Sequence, residues 1–260
     1  MKPAGDELIT FLTDYGLGDP FVGLCHAVFA VGAPRARVID LTHGIEPQDV
    51  RGGAVTLADC VGYLPPAINL AVVDPGVGTA RRAVILTCGE AVLVGPDNGL
   101  LWPAASRLGV DGAYEIRDRA SGSARTFDGR DVFAPAAARL AAGEPPARLG
   151  PRVAVGSLTR LDLPAARVAA GVLEAEVLTV DRFGNLQLGA RPAELDMAGF
   201  LPGQPLTVNG HAATRCEAFA EIAELGVLPD AFGRTQVAVN RGSAARALGL
   251  RPGDGVRVEL

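Results

Sequence analysis

The chain has 260 residues, 48% of them hydrophobic and 20% charged, with a formal net charge of −5. That length suits two compact domains, and that composition excludes a disordered or low-complexity chain. The negative balance speaks against a phosphate-binding surface, which needs clustered Lys and Arg, so no nucleic-acid partner is expected. Met1 to Glu7 lack the apolar stretch of a signal peptide, and no run reaches the length of a membrane span. A cytoplasmic protein without a membrane partner is expected. Cys25, Cys60, Cys88 and Cys216 are far apart and form no CxxC pair or Cys/His cluster. They read as buried thiols, since Cys in an apolar run behaves as a small core hydrophobe.

The first half alternates strand and helix. Leu8 to Leu12 is a short apolar run that ends at Thr13-Asp14-Tyr15-Gly16, as a buried strand and its turn would. Asp19-Pro20 reads as a cap followed by proline in the first turn of a helix that ends near Gly32-Ala33-Pro34. A strand over Ala36 to Leu41, a helix over Pro47 to Tyr63 and a strand over Ile68 to Val73 follow. Val84 to Cys88 and Ala91 to Val94 form a hairpin about Gly89-Glu90. A helix from about Leu100, a strand at Tyr114 to Ile116 and a helix from Val132 to Ala142 complete an α/β domain over 1–160. Its sheet is expected to be mainly parallel and covered on both faces.

The rhythm changes after Arg152. Val172 to Val180 alternates, and Asn185 to Leu188, Leu206 to Asn209, Gln236 to Asn240 and Val256 to Leu260 are strand-like. Ala244 to Leu248 is the one helical candidate. Short strands with Gly/Pro turns predict a smaller all-β domain over 168–260, a barrel or a sandwich.

In open α/β sheets ligands gather beyond the carboxyl ends of the strands. Three polar clusters fall there: Thr13-Asp14, Asp74 to Arg81, and Pro96 to Gly99. Asp19 is better placed than Asp14 to cap the following helix, which leaves Asp14 able to accept ribose hydroxyls. Asp74-Pro75-Gly76-Val77-Gly78-Thr79-Ala80-Arg81 fails as a phosphate loop, because Arg81 stands where a third glycine belongs and a strand follows. It offers instead a carboxylate and a guanidinium that can fold onto each other. In Thr126-Phe127-Asp128-Gly129-Arg130-Asp131, Asp131 reads as a helix cap and Asp128 as the remaining carboxylate. His26, His43 and His211 share no ligand spacing, so no metal is expected.

Six ordered clusters resemble the S-adenosyl-L-methionine (SAM) hydroxide adenosyltransferases, relatives of the SAM-dependent fluorinase and chlorinase. They are Thr13-Asp14-Tyr15-Gly16, Asp74 to Thr79 with Arg81-Arg82, Pro96 to Leu100, Thr126 to Pro135, Asp181 to Asn185, and Val239 to Ala245. The resemblance implies an N-terminal α/β domain, a C-terminal β-barrel and a homotrimer with sites at subunit interfaces. It implies hydrolysis of SAM to adenosine and methionine, with SAM as substrate and no cofactor. Asp74, Arg81 and Asp128 would be catalytic, although the family pattern has His where this chain has Asp128. Asp14 would hold the ribose, and Asp181 and Ser243 the methionine amino-acid group. Asn185 and the main chain of Val239 to Arg241, including Asn240, would meet adenine. Phe183 would pack near the sulfonium or the ring, with Asn98 and Phe127 also at the substrate. Halide transfer is the rival within the family, but the halogenases carry Tyr where this chain has Asp74, which speaks against it. A non-catalytic SAM or adenosine binder is the rival outside the family.

Overall fold

The computed structural model describes residues 7–118 and 125–260. Met1 to Asp6, part of the segment read as free of a signal peptide, lie outside the described residues. The chain divides into two compact units, Met1–Asp162 and Leu163–Leu260.

The first unit runs β1 (Leu8–Thr13), α1 (Phe21–Gly32), β2 (Arg37–Thr42), α2 (Val50–Cys60), β3 (Ile68–Val72), β4 (Ala83–Cys88), β5 (Ala91–Pro96), α3 (Trp102–Leu108), β6 (Gly112–Glu115), a π-helical turn at Gly129–Phe133, α4 (Ala134–Ala141) and β7 (Arg152–Val153). Among the described residues the strands form one seven-stranded sheet, in the order β2-β1-β3-β5-β4-β6-β7. β2, β1, β3 and β5 are parallel neighbours. β4, β6 and β7 pair antiparallel. The sheet is therefore mixed, not mainly parallel as the sequence suggested. The reason is the hairpin: Gly89 at φ +60° closes a two-residue turn, and such a turn can only produce antiparallel neighbours.

Both faces of the sheet are covered. Ile68, Leu70 and Val72 of β3 join α1 and α4 in one core, while Ala71 and the following Val73 join α2 and α3 in another. This is why β3 reads as a continuous apolar run. Its one polar residue, Asn69, is buried, and its Oδ1 accepts the hydroxyl of Thr10 on β1 at 2.8 Å. β1 and β3 lie side by side and parallel, so Asp14 and Asp74 emerge together at the carboxyl ends of the strands.

The second unit, all of it described, runs β8 (Arg167–Ala169), β9 (Val172–Val180), β10 (Leu186–Leu188), α5 (Pro192–Ala198), β11 (Pro205–Val208), β12 (His211–Arg215), β13 (Leu225–Pro229), β14 (Thr235–Val239), α6 (Ala244–Leu248) and β15 (Gly255–Glu259). The order is β10-β14-β13-β12-β11-β15-β9-β8, and β10 also pairs with β9. That pairing closes a seven-stranded barrel with β8 outside the ring, leaving no open edge within the ring. Leu173, Val177, Leu186, Val208, Val227 and Val258 fill it. Among the described residues no helix is long and apolar enough to cross a membrane.

Candidate active site

The first unit gathers its candidate residues around a cavity of roughly 210 Å³ lined by Asp14, Tyr15, Gln48, Asp74, Phe127 and Asp128, among others. Arg81 organises its acidic side. Its Nε donates to Asp74 Oδ1 at 3.1 Å and its Nη2 to Asp74 Oδ2 at 2.5 Å. Nη2 also donates to Asp128 Oδ2 at 2.9 Å, and Nη1 to the Arg82 carbonyl at 3.0 Å. The guanidinium lies 5.2 Å from the Phe133 ring centroid, and all three charged side chains are at least nine-tenths buried. One cation thus faces two buried anions. Burial raises the proton affinity of Asp74 above that of an ordinary aspartate; the charge of Asp128 adds to the rise, and Arg81 opposes it. A carboxylate tuned upward in a cleft suits proton acceptance better than an exposed one.

Asp14 is positioned through the main chain. Its Oδ2 accepts the backbone N–H of Gln48 at 2.8 Å, and Gln48 adopts φ +68°, a left-handed conformation unusual for a side-chain-bearing residue. Asp49 then caps α2 by accepting the Gly52 N–H at 2.8 Å. Tyr15 packs edge-on against Phe21 and Phe127, with centroids 5.9 and 5.6 Å away, and burial pushes its phenol well above the ordinary range. A side chain on Gly129 would collide with the Tyr15 hydroxyl, so glycine is required where the π-helical turn meets that ring.

Two local readings change. Pro20, not Asp19, occupies the cap position of α1, and no side chain caps that helix. Asp131 does not cap a helix: it lies inside the π-helical turn, paired with Arg130 at 2.7 and 2.9 Å. Asn98 binds its own neighbourhood, donating to the Val73 carbonyl at 2.8 Å and accepting Leu100 N–H at 3.1 Å.

The remaining candidates lie in the second unit, around a pocket of roughly 720 Å³ lined by Asp181, Phe183, Asn185, Asn240 and Arg241, among others. Asp181 Oδ1 accepts the N–H groups of Phe183 and Asn185, each at 2.9 Å, and Oδ2 accepts the Asn185 side-chain amide at 2.8 Å. The carboxylate thereby shapes the turn that holds Phe183 77% exposed, a costly position for a bare aromatic ring and a useful one for stacking. Ser243 caps α6 through Arg246 N–H at 3.2 Å. Asn240 donates to the Ile222 carbonyl at 3.3 Å.

Sequence reasoning missed several lining residues. Gln48 acts through its main chain, which leaves no mark in a side-chain pattern. Phe219 and Phe232 also line the second pocket, but Phe219 opens a single 3₁₀ turn and Phe232 sits in the turn between β13 and β14, neither marked by periodicity. His26 and His43, read as isolated, converge on Asp40 across the α1–β2 connection.

The chain joins a mixed α/β sheet, with Asp14 and Asp74 just past the ends of β1 and β3, to a closed barrel with an aromatic-lined pocket. Residues 9–150 match the SAM hydroxide adenosyltransferase N-terminal domain and residues 175–257 its C-terminal domain, and the chain belongs to that family. It is 52% identical over 256 residues to an (R)-S-adenosyl-L-methionine hydrolase of Salinispora tropica, covering 96% of this chain and 97% of that one. A fluorinase of Actinopolyspora mzabensis is 27% identical, with 96% of each chain covered. A crystal structure of an uncharacterized conserved protein from Thermotoga maritima superposes with a TM-score of 0.91 at 34% identity, covering 97% of this chain and all of that one.

Proposed function

We propose that this chain hydrolyses SAM to adenosine and L-methionine, and that it takes the (R) form at sulfur that its hydrolase relatives are named for. The observation that carries the reading is Arg81 held between Asp74 and Asp128 at the cavity of the first unit. Water attacks the ribose C5′, the C5′–S bond breaks, and its electron pair stays on sulfur as the neutral thioether of methionine. The proton passes to Asp74, with Asp128 orienting the water. Water has a pKa of about 15.7, so it needs such a partner. General-base assistance supplies about 10²–10⁴-fold. The rest comes from positioning and from a dry pocket, in which an oxygen nucleophile approaching a sulfonium cation neutralises charge.

Asp14 holds the ribose hydroxyls. Asp181 and Ser243 meet the methionine amino-acid group, and Asn185, Asn240 and Arg241 meet adenine beside Phe183. Phe127 walls the reacting centre, and Asn98 supports it through the end of β3. The functional unit is a homotrimer in which the cavity of one subunit is completed by the barrel pocket of the next. SAM is the substrate, and no cofactor takes part. The four cysteines are free thiols, which fits a reducing cytoplasm.

Halide transfer is disfavoured by the same carboxylates. An anion about 4 Å from one carboxylate is opposed by about 1–4 kcal/mol, and here two carboxylates share one guanidinium. The test is incubation of each sulfur epimer of SAM with the purified protein, without added halide. Equal amounts of adenosine and methionine from the (R) form, lost in Asp74→Ala, are expected. SAM binding by calorimetry without turnover would replace the hydrolase with a binding protein.

A further inference from the structure

Asp40, on the edge strand β2, faces two imidazoles at once. Its Oδ1 lies 2.9 Å from His26 Nε2 and 3.2 Å from His43 Nε2, and its Oδ2 lies 3.1 Å from His26 Nε2. One donor atom from each residue lies within 4.8 Å of the other two. The His43 side chain is only 3% exposed, yet its Nε2 makes no hydrogen bond, although Asp40 Oδ1 lies 3.2 Å away. A buried nitrogen in that state carries a desolvation cost with nothing to offset it.

The other ring nitrogen of His43 is held. Nδ1 lies 2.8 Å from Thr13 Oγ1, which also accepts Tyr15 N–H at 3.1 Å. With Nδ1–H donating to Thr13, Nε2 is unprotonated, and its lone pair is free to bind a cation beside Asp40 and His26. Phe11 fixes the ring further, edge-on at 4.8 Å. An imidazole oriented through one nitrogen, with the other unprotonated and close to a carboxylate and a second imidazole, is how metal-ligating histidines are held. Zinc bonds of about 2.0–2.1 Å in a tetrahedron place neighbouring donors about 3.3 Å apart, and the two nitrogen-to-Oδ1 separations here are 2.9 and 3.2 Å.

We propose that His26, Asp40 and His43 form a binding site for a divalent transition-metal ion of the zinc class, made of residues that do not line the catalytic cavity. Two imidazoles and one carboxylate suit such an ion and not magnesium or calcium, which take oxygen donors. The side chains of His26 and Asp40 are more than a third exposed, so solvent reaches the ion and completes its coordination. The ion ties α1 to β2 and to the turn after it. Through the Thr13 contact, and through Gly16 N–H donating to the His43 carbonyl at 2.7 Å, it also braces the loop that carries Asp14. Its role is to stiffen this loop, not to take part in the reaction.

The test is titration of the metal-stripped full-length protein with Zn²⁺ by calorimetry, and with Co²⁺ by visible absorption. One Zn²⁺ per chain, tetrahedral Co²⁺ bands and a Tm that rises with Zn²⁺ are expected. His26→Ala and Asp40→Asn alter exposed side chains, so both variants fold, and each should weaken Zn²⁺ binding at least tenfold. His211→Ala, which removes the third histidine of the chain, should leave the affinity unchanged. Absence of both heat and Co²⁺ absorption in the wild type, or unchanged Zn²⁺ affinity in either His26→Ala or Asp40→Asn, would overturn the site.

Discussion

Arg81 meets two carboxylates that a single point charge could not serve equally. A planar guanidinium can give Asp74 two bonds and still reach Asp128, whereas an ammonium on a flexible stem cannot hold that fork. Arg81→Lys should lower kcat at least tenfold while the SAM dissociation constant moves only a few-fold; steady-state kinetics beside calorimetry would show the split. The pH profile follows from the same geometry. In the proposed step Asp74 must be ionised to accept a proton, and burial and the Asp128 charge raise its proton affinity against the opposing charge of Arg81. Activity should therefore fall, as pH drops, at a value above the ordinary aspartate pKa of about 3.9. Asp128→Asn removes the neighbouring negative charge, so the acidic limb of kcat should move to lower pH. A limb that stays in place or moves upward would separate Asp128 from Asp74. At this scale the sequence was informative: the departure of Arg81 from a phosphate-loop pattern already pointed to a pairing with Asp74. Gln48 was not legible, because its contribution is a backbone N–H delivered by a left-handed φ.

Elements are stabilised where the chain turns, and these turns set the site. Asp49 caps α2 directly beside the residue that holds Asp14. Asp49→Ala should cost about 1 kcal/mol of stability, read from urea denaturation, because a capping oxygen is removed from an orphan N–H. Gly129→Ala should cost about 1–3 kcal/mol by the same measurement, since a methyl group is forced against Tyr15 and Phe127. The hairpin about Gly89 and the alternation of β9 were readable because each is a local pattern. α5 was not, although Pro192 in its first turn and Glu194 accepting the Arg191 N–H at 2.6 Å are genuine start signals. Arg191 at the cap position hides them. β12 and β13 pair in parallel across a connection without periodicity, so each is a short segment whose partner only the tertiary fold supplies.

At the scale of the whole molecule, the change from βα alternation to short strands located two architectures, while strand order lay beyond local pattern. The antiparallel β5–β4 and β4–β6 pairings follow from one hairpin, β7 adds a separate reversal against β6, and barrel closure comes from one extra pairing of β10 with β9. If the functional unit is a trimer whose sites join unlike domains of adjacent subunits, damaged subunits should complement each other. Asp74→Ala removes the proposed base from the first unit, and Phe183→Asp replaces the exposed aromatic of the second. Mixed and reassembled, the two variants should regain activity that neither has alone. No recovery in verified mixed oligomers would place the whole site within one subunit.

The chemistry at C5′ is tested most directly by running the reaction in ¹⁸O-water and analysing both products by mass spectrometry. One ¹⁸O atom in the adenosine, at its 5′-hydroxyl, with none in the methionine, is the expected result. Unlabelled adenosine, or breakdown products that retain the 5′ carbon–sulfur bond, would contradict attack of water at that carbon.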